Sequence, residues 1–172
     1  MTNTLDLGCG AIPKNPLNMD DVFGIDIRQN IEKNIFQADL AVEKIPFDDN
    51  FFDCVSAFDF IEHIPRLIYA PDRRFSFVEL MNEIHRVLKP GGVFLSLTPA
   101  FPHPPAWRDP THVNIITEET FPLYFDDTNR WASIYGFNGY FQIVQQIWEG
   151  INLKVIMRKV NPEAPLLTTY PN

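Results

Sequence analysis

The chain has 172 residues, and 22 acidic against 14 basic side chains leave a formal net charge of −8. Hydrophobic residues make up 45% and charged residues 21%, and fifteen Phe with three Trp supply enough apolar area to exclude disorder as the main state. This length suits one domain with a single core. The acidic balance opposes a protein that binds tightly to nucleic-acid phosphates, so we expect no nucleic-acid partner.

The beginning of the chain and the cysteines indicate where the protein works. Residues 1–4 carry no positive segment of a signal peptide, and no apolar run approaches the ~18–20 residues of a membrane-spanning helix. Cys9 lies in a glycine turn and Cys54 in an apolar run, so neither resembles half of a disulfide framework. We therefore expect a cytoplasmic protein without a membrane partner.

Short apolar runs alternate with turns through the first half of the chain, the pattern of a parallel α/β sheet. Each run ends at a polar or turn residue, as buried parallel strands do. The predicted strands cover residues 5–7, 22–27, 35–38 and 52–58.

One helix stands out in the middle of the chain. It is predicted over residues 77–88, where apolar side chains recur at helical spacing and form a single stripe. Ser76 with Glu79 three residues later predicts a capping box at its start, and the following Lys-Pro-Gly-Gly predicts its end. A fifth strand then follows at residues 93–98.

The second half begins with a proline-rich segment. The prolines of residues 99–110 exclude a helix or a central strand, and a long irregular segment in a compact domain is often a functional loop. Thr117 and the two acids after it predict the start of a short helix. Residues 140–148 and 153–160 predict an antiparallel hairpin at a sheet edge. Residues 1–160 are then one domain, followed by a loose tail at 161–172.

Acidic residues follow three successive strands. The sequence Asp-Leu-Gly-Cys-Gly at residues 6–10 ends the first strand, and its glycines let the backbone approach a ligand closely, although an ordinary turn would look the same. Asp26 closes the second strand, where a carboxylate can accept both ribose hydroxyls. Asp39, followed by Leu40, closes the third and can face an adenine. Carboxyl ends of parallel strands share one edge, so the pattern predicts a nucleoside site there.

The same segment indicates which nucleoside cofactor fits. A dinucleotide fingerprint needs a third glycine where Pro13 stands, and Pro13 with Pro16 leaves room for little helix. A pyrophosphate also favours an electropositive helix N-terminus over a cluster of acids. S-adenosylmethionine (SAM) carries ribose, adenine and a positive sulfonium but no phosphate, so the acids favour SAM.

At this point the sequence resembles the class I SAM-dependent methyltransferases, in the broad group often called type 11. The matching stretches occur in order at residues 5–10, 24–26, 38–40, 45–53, 61–63 and 86–92. The resemblance implies an α/β, Rossmann-like, doubly wound fold with a mostly parallel seven-stranded sheet and a C-terminal antiparallel hairpin. It also implies methyl transfer from SAM, with a small-molecule acceptor such as a sugar or another metabolite. The rival hypotheses are a SAM-binding subunit without turnover that supports a partner, and a nucleic-acid methyltransferase.

The resemblance also implies a cofactor site at the ends of the first four strands, formed by Asp6, Gly8, Cys9, Gly10, Asp26, Ile27, Asp39, Leu40 and Phe58. Asp26 would hold the ribose, Asp39 and Leu40 the adenine, and Phe58 would form a wall. Typical members carry helices before the first strand, whereas here the first strand begins almost at Met1. We therefore expect an exposed cofactor, with a cover from residues 99–110, from a second copy in a homodimer, or from a partner subunit.

Catalysis of methyl transfer needs alignment of the reacting atoms and, for a hydroxyl or amine acceptor, a base. His112, in the sequence Asp-Pro-Thr-His, is the first candidate for a base or orienting group in the acceptor pocket, and His63 is the second. Glu62 and His63 have a simpler interpretation, as residues that pack the segment after the fourth strand. The alternative is a divalent metal held by Asp59, Glu62 and His63, with His112 completing the shell, but we expect no metal.

Overall fold

The computed structural model describes residues 1–160, and the tail predicted at residues 161–172 lies outside them. The strands are β1 (Asn3–Leu7), β2 (Asp21–Asp26), β3 (Ile35–Gln37), β4 (Phe52–Phe58), β5 (Leu88–Pro99), β6 (Phe141–Glu149) and β7 (Asn152–Lys159). The helices are α1 (Ser76–Val87), α2 (Pro105–Arg108) and α3 (Thr120–Tyr124), with 3-10 turns at Ile31–Lys33, Ile61–His63 and Trp131–Tyr135.

The seven strands form one sheet in the order β3-β2-β1-β4-β5-β7-β6. Strands β1 to β5 are parallel, and β7 pairs antiparallel with both β5 and β6. The predicted Rossmann-like sheet with a C-terminal hairpin is confirmed. The chain order reverses between β1 and β4, and ligands of open α/β sheets bind outside the carboxyl ends of strands at such a point.

Burial of β1, β4 and α1 forms the centre of the core. The strand residues Leu5, Leu7 and Val55 have no exposed surface, and neither do Met81 and Ile84 of α1. The helix therefore covers the sheet with the apolar stripe that its sequence predicts. Among residues 1–160, none of the helices has the length and apolar character that crossing a membrane requires.

The start of α1 differs from the prediction. Phe75 is the N-cap, and Ser76 is the first helical residue rather than the cap, so the predicted capping box is wrong. Glu79 instead accepts a hydrogen bond from Arg74 Nε at 3.0 Å. The guanidinium just outside the helix takes the carboxylate that a capping box would have directed to the backbone.

The proline-rich segment also differs from the prediction. It contains α2, whose first residue is Pro105, because a proline in the first helical turn lacks only an N–H that would have no partner within the helix. Helix α1 ends at Val87, just before the Lys-Pro-Gly-Gly that predicts its end, but strand β5 already begins at Leu88 rather than at residue 93. The short helix expected from Thr117 begins at Thr120, whose hydroxyl accepts the Thr117 N–H at 2.9 Å.

Candidate active site

The turn after β1 needs glycine at two positions. Gly8 and Gly10 have φ angles of 65° and 61°, in the left-handed region that disfavours residues with a Cβ. A Cβ on Gly8 would lie 2.2 Å from Cδ2 of Phe60, whereas one on Gly10 would meet no atom within 4 Å. The turn therefore packs on Phe60 at Gly8 and leaves open space at Gly10.

Asp6 anchors this turn from inside the molecule. Its buried carboxylate accepts hydrogen bonds from Ser56 Oγ and from the backbone N–H of Lys14, both at 2.8 Å. Burial is the main influence on its pKa and raises it above the ordinary value. Because both carboxylate oxygens bind the protein, Asp6 shapes the loop at residues 8–14.

Asp26 lies beside the turn, as its position at the end of β2 predicts. Its Oδ2 accepts the Gly10 N–H at 3.1 Å, and its Oδ1 accepts the N–H and Nε of Arg28 at 3.0 and 3.2 Å. A carboxylate has about four acceptor positions, so one remains for a further donor such as a ribose hydroxyl. Ile27, the next residue, is 66% exposed and offers an apolar surface at the same edge.

The other predicted cofactor residues lie at or near the ends of β3 and β4. Asp39 is exposed two residues beyond β3, and its carboxylate accepts the Ala41 N–H at 3.0 Å. The side chain of Leu40 is buried, so only its backbone can face a ligand. Phe58 ends β4, and Lys14 Nζ lies 4.4 Å from the centre of its ring. No periodic pattern or motif marks Lys14 in the sequence.

Cys9 lies within the turn, and its surroundings favour the protonated thiol. Burial, with the nearby charges of Asp6 and Asp26, raises the pKa of its thiol to about 11. The thiol therefore stays protonated near neutral pH and serves packing: a Cβ on Gly24 of β2 would lie 2.4 Å from its Sγ.

A second polar group lies after β4, around Glu62. Its side chain is 1% exposed, and its Oε2 accepts a hydrogen bond from Thr98 Oγ1 at 2.7 Å. Its Oε1 is buried without a hydrogen-bond partner in residues 1–160. Burial raises the pKa of this carboxyl above its ordinary value. The backbone oxygen of Glu62 accepts the N–H groups of Val113 and Asn114, both at 2.9 Å, which fixes the later loop against the 3-10 turn.

The two histidines predicted to be catalytic meet at this point. The ring centres of His63 and His112 lie 4.8 Å apart, with the rings nearly perpendicular. His63 Nδ1 is 3.0 Å from Thr111 Oγ1, which donates to Asp109 Oδ1 at 2.6 Å. His112 Nε2 is 3.9 Å from Asp109 Oδ2, and its Nδ1 is buried with no hydrogen-bond partner in the described chain. The structure thus brings together residues far apart in sequence.

Asp59, the other predicted metal ligand, and His103 lie apart from the His63–His112 pair. One ligand atom from each of Glu62, His63 and His112 lies within 4.8 Å of the others, and Asp59 is not a member of this group. Asp59 has a φ angle of 51° at the residue after β4. His103 packs its ring against Trp148, with the ring centres 5.1 Å apart.

A cavity lies elsewhere on the protein. It has a volume of about 550 Å³ and none of the predicted cofactor residues lines it. Its walls are mostly aromatic and aliphatic, formed by Arg66, Leu67, Phe75, Phe77, Val78, Thr117, Glu119, Thr120, Leu123, Tyr124, Phe125, Trp131 and Tyr135. Arg66 connects it to the Glu62 region, because Arg66 Nε donates to Asn114 Oδ1 at 2.7 Å and Asn114 donates to the Glu62 carbonyl.

Comparison with known proteins identifies relatives of this arrangement. Demethylmenaquinone methyltransferases of Listeria monocytogenes and Listeria welshimeri are 28% identical in an alignment 126 residues long that covers 62% of this chain. That match covers 48% and 49% of those proteins, so the chain spans about half the length of the curated relatives it matches.

Solved structures show the same fold. SAM-dependent methyltransferases of Archaeoglobus fulgidus and Mesorhizobium loti have TM-scores of 0.60 and 0.59, at 15% and 14% identity. The matches cover 92% and 91% of this chain and 86% and 90% of theirs. A chain of the complex formed by the Trm112 methyltransferase activator of Haloferax volcanii has a TM-score of 0.58 at 15% identity, with 93% of this chain and 83% of that chain covered.

The family model of the methyltransferase domain matches residues 5–96, more than half of the chain. Those residues contain the glycine turn, Asp26, Asp39 and the Glu62–His63 pair. The resemblance inferred from the sequence is therefore confirmed, and the chain belongs to the methyltransferase domain family, within the class I SAM-dependent methyltransferases.

Proposed function

We propose that this protein transfers a methyl group from SAM to a small-molecule acceptor. The observation that carries the proposal is the meeting of Asp26 and the glycine turn, where Asp26 Oδ2 accepts the Gly10 N–H at 3.1 Å. Open space at Gly10 and a carboxylate with acceptor capacity fit a nucleoside that bears positive charge. SAM, when bound, supplies a methyl group on a positively charged sulfur.

We assign the protein groups as follows. Asp26 and Ile27 hold the ribose, Asp39 and the backbone of Leu40 face the adenine, and Phe58 forms a wall beside the reacting end. The glycine turn, with Asp6 and Cys9 supporting it, lies under the methionine part. His112 orients the acceptor or takes its proton, with His63 beside it. The reason is that His63 follows β4 directly and the His112 ring packs against it.

The acceptor is a small molecule in this proposal. The net charge of −8 disfavours a nucleic-acid acceptor, and the cavity of about 550 Å³ has the size and aromatic lining of a small-molecule site. Arg66, which lines the cavity, donates a hydrogen bond to Asn114 beside Glu62, so the cavity adjoins the Glu62 region. The matched relatives in Listeria carry the name demethylmenaquinone methyltransferase, which supports a metabolite acceptor with a ring.

We further propose that a second subunit, another copy or a partner, covers the cofactor. Ile12, Ile27 and Ile31 are 70%, 66% and 77% exposed near the ends of β1 and β2. The structural likeness to a chain from a Trm112 complex supports a partner subunit. The same exposure supports the rival hypothesis of a SAM-binding subunit without its own turnover. We place the protein in the cytoplasm, since Cys9 and Cys54 are both free.

Calorimetry with SAM and with S-adenosylhomocysteine tests the cofactor assignment. We expect Asp26→Asn to weaken binding about ten- to a hundredfold, because a charge-assisted hydrogen bond to a ligand contributes roughly 1.5–3 kcal/mol. Asp21→Asn is the matched control, since Asp21 begins the same strand at the opposite edge of the sheet and should leave binding unchanged. Absence of binding at millimolar SAM to the folded wild type would contradict the proposal.

Transfer of a labelled methyl group to a panel of metabolites tests turnover. We expect His112→Ala to lose turnover while it keeps the wild-type SAM affinity, because His112 is assigned to the acceptor side. Circular dichroism checks that the variant folds, since a loss of both properties would indicate a structural role. Tight SAM binding without transfer to any acceptor would favour the non-catalytic subunit.

A further inference from the structure

Three side chains after β4 and before α3 form a group in which the proposed methyl transfer gives roles to the two histidines but none to the buried Glu62 carboxylate. One ligand atom from each of Glu62, His63 and His112 lies within 4.8 Å of the other two. Atoms that bind one zinc ion at about 2.0–2.1 Å lie roughly 3–4 Å from one another. Small changes of side-chain rotamer would therefore bring the three atoms onto a single ion.

Two atoms of this group lack the hydrogen bonds that buried polar atoms normally make. Within residues 1–160, Glu62 Oε1 and His112 Nδ1 are both buried without a hydrogen-bond partner. The Glu62 side chain is 1% exposed, and its other oxygen is already held by Thr98. A buried polar atom without a partner costs about 1–3 kcal/mol, so a ligand that bound both of these atoms would remove an unfavourable contribution to the free energy of the folded state.

The positions of the hydrogens indicate what that ligand is. Thr111 must use its one hydroxyl hydrogen for Asp109, since a carboxylate only accepts. Toward His63, 3.0 Å away, Thr111 then accepts, so His63 Nδ1 carries the hydrogen and Nε2 keeps a lone pair. Asp109 also faces His112 Nε2 at 3.9 Å, which favours a hydrogen on Nε2 and a lone pair on the buried Nδ1.

With Glu62 ionised, the group therefore presents two imidazole lone pairs and one carboxylate oxygen. We propose that Glu62, His63 and His112 hold a divalent transition-metal ion, with Zn²⁺ as the fitting species. Two imidazoles and one carboxylate are a known ligand set for zinc with an open position, whereas Mg²⁺ and Ca²⁺ favour oxygen ligands alone. Thr98 on Glu62 and Thr111 on His63 supply the outer hydrogen bonds that orient such ligands.

This proposal deepens the proposed function and can fail separately from it. An ion bound there would have an open position for a hydroxyl oxygen of the acceptor and would make that hydroxyl easier to deprotonate, its proton passing to solvent. In that state His63 and His112 would orient the acceptor as ligands of the ion, and neither would act as the base. The inference that the acceptor carries a hydroxyl rests on the proposed methyl transfer. Binding of the ion itself is measured without SAM and without acceptor.

Calorimetry of the chelator-treated protein with Zn²⁺, and absorption spectroscopy with Co²⁺, test the site. We expect one ion per chain, and at least tenfold weaker binding in Glu62→Gln and in His112→Ala. Glu62→Gln keeps an acceptor for Thr98, which limits damage to the fold. His103→Ala and Asp59→Asn are matched controls, because one removes an imidazole and the other a carboxylate outside the group, and both should bind like wild type.

Two outcomes would overturn the proposal. One is the absence of Zn²⁺ binding to folded wild type at about 100 μM, which would leave a proton shared between Glu62 and an imidazole as the explanation of the orphaned atoms. The other is equal Zn²⁺ affinity in wild type and in the Glu62→Gln/His112→Ala double variant. Methyl transfer unaffected by chelators, together with either result, would leave the proposed function intact.

Discussion

Gly8 and Gly10 have nearly the same φ angle but different neighbours, which makes them a matched pair. Alanine at either position takes a left-handed backbone at about 1–2 kcal/mol. Alanine at Gly8 also places its Cβ 2.2 Å from the ring of Phe60, and such overpacking adds about 1–3 kcal/mol. We expect urea denaturation to show a larger loss of unfolding free energy for Gly8→Ala than for Gly10→Ala. Equal losses would mean that Phe60 moves aside freely.

At the scale of residues, the sequence predicts the acids better than their partners. Asp26 could be predicted because a carboxylate at the end of a buried strand has a defined position at the sheet edge. Lys14 could not, since its contact with Phe58 depends on how residues 8–14 fold back over β4, which no local pattern records. Thr98 likewise meets Glu62 only because β4 and β5 are neighbours in the sheet.

The helices and strands can be predicted from the sequence where the hydrophobic periodicity is strong. The prediction is wrong where a neighbouring side chain takes the expected hydrogen-bond partner. The stripe of α1 and the short apolar runs of β1 to β4 predict these elements, because burial on one or both faces requires such patterns. The capping box at Ser76 fails because Arg74 takes the Glu79 carboxylate. Helix α2 is missed because its prolines lie where a first turn tolerates them.

Helix α1 carries a pH-sensitive residue, His85. Burial first, and then the charge of Lys159, lower its pKa from 6.5 to about 4. Between these values the unfolded chain binds the proton more readily than the folded protein, so the contribution of His85 to stability is present above pH 6.5 and is lost as the pH falls toward 4. Allowing for its partial exposure, we expect a loss of about 2 kcal/mol over this range.

The variant His85→Leu isolates this effect. Leucine packs against Phe141, which the His85 ring contacts with centres 5.2 Å apart, and it does not titrate. The raised pKa values of Asp6 and Glu62 change stability with pH in the opposite direction, since the folded protein then holds these protons to higher pH than the unfolded chain does. Wild type and His85→Leu both contain Asp6 and Glu62, so this contribution cancels when their stabilities are subtracted. In denaturant titrations, the unfolding free energy of wild type minus that of His85→Leu should increase as the pH rises from 4 to 6.5. A flat difference would show that His85 is as hydrated in the folded state as in the unfolded chain.

At the scale of the whole molecule, the charge distinguishes among acceptors. With a net charge of −8, the protein should show no salt-dependent binding to duplex DNA or to RNA in filter-binding assays at about 50 mM salt, where phosphate contacts are strongest. Affinity that falls steeply as salt is added would support a nucleic-acid methyltransferase instead. A basic protein of similar size provides the positive control for the assay.

The arrangement of the whole chain also explains which parts of the site escape sequence reasoning. Parallel strands bring their carboxyl ends to one edge, so Asp6, Asp26 and Phe58 follow from the order of elements. The meeting of Glu62 with Val113 and Asn114 depends instead on the path of an irregular loop. Sequence patterns therefore predict the residues on the cofactor side of the candidate site better than those on the acceptor side.

The hydrogen bonds around Glu62 hold residues 109–114 in place. The Glu62 carbonyl accepts N–H groups from Val113 and Asn114, and Thr111 bridges His63 to Asp109. Swinging this stretch outward would break its two bonds to Glu62 and its bond to His63 together, at about 1 kcal/mol each. A stretch tied down at so many points acts as a stationary wall rather than a hinged flap. A ligand that approaches His63 or His112 would then have to pass beside this wall, because the wall itself does not open.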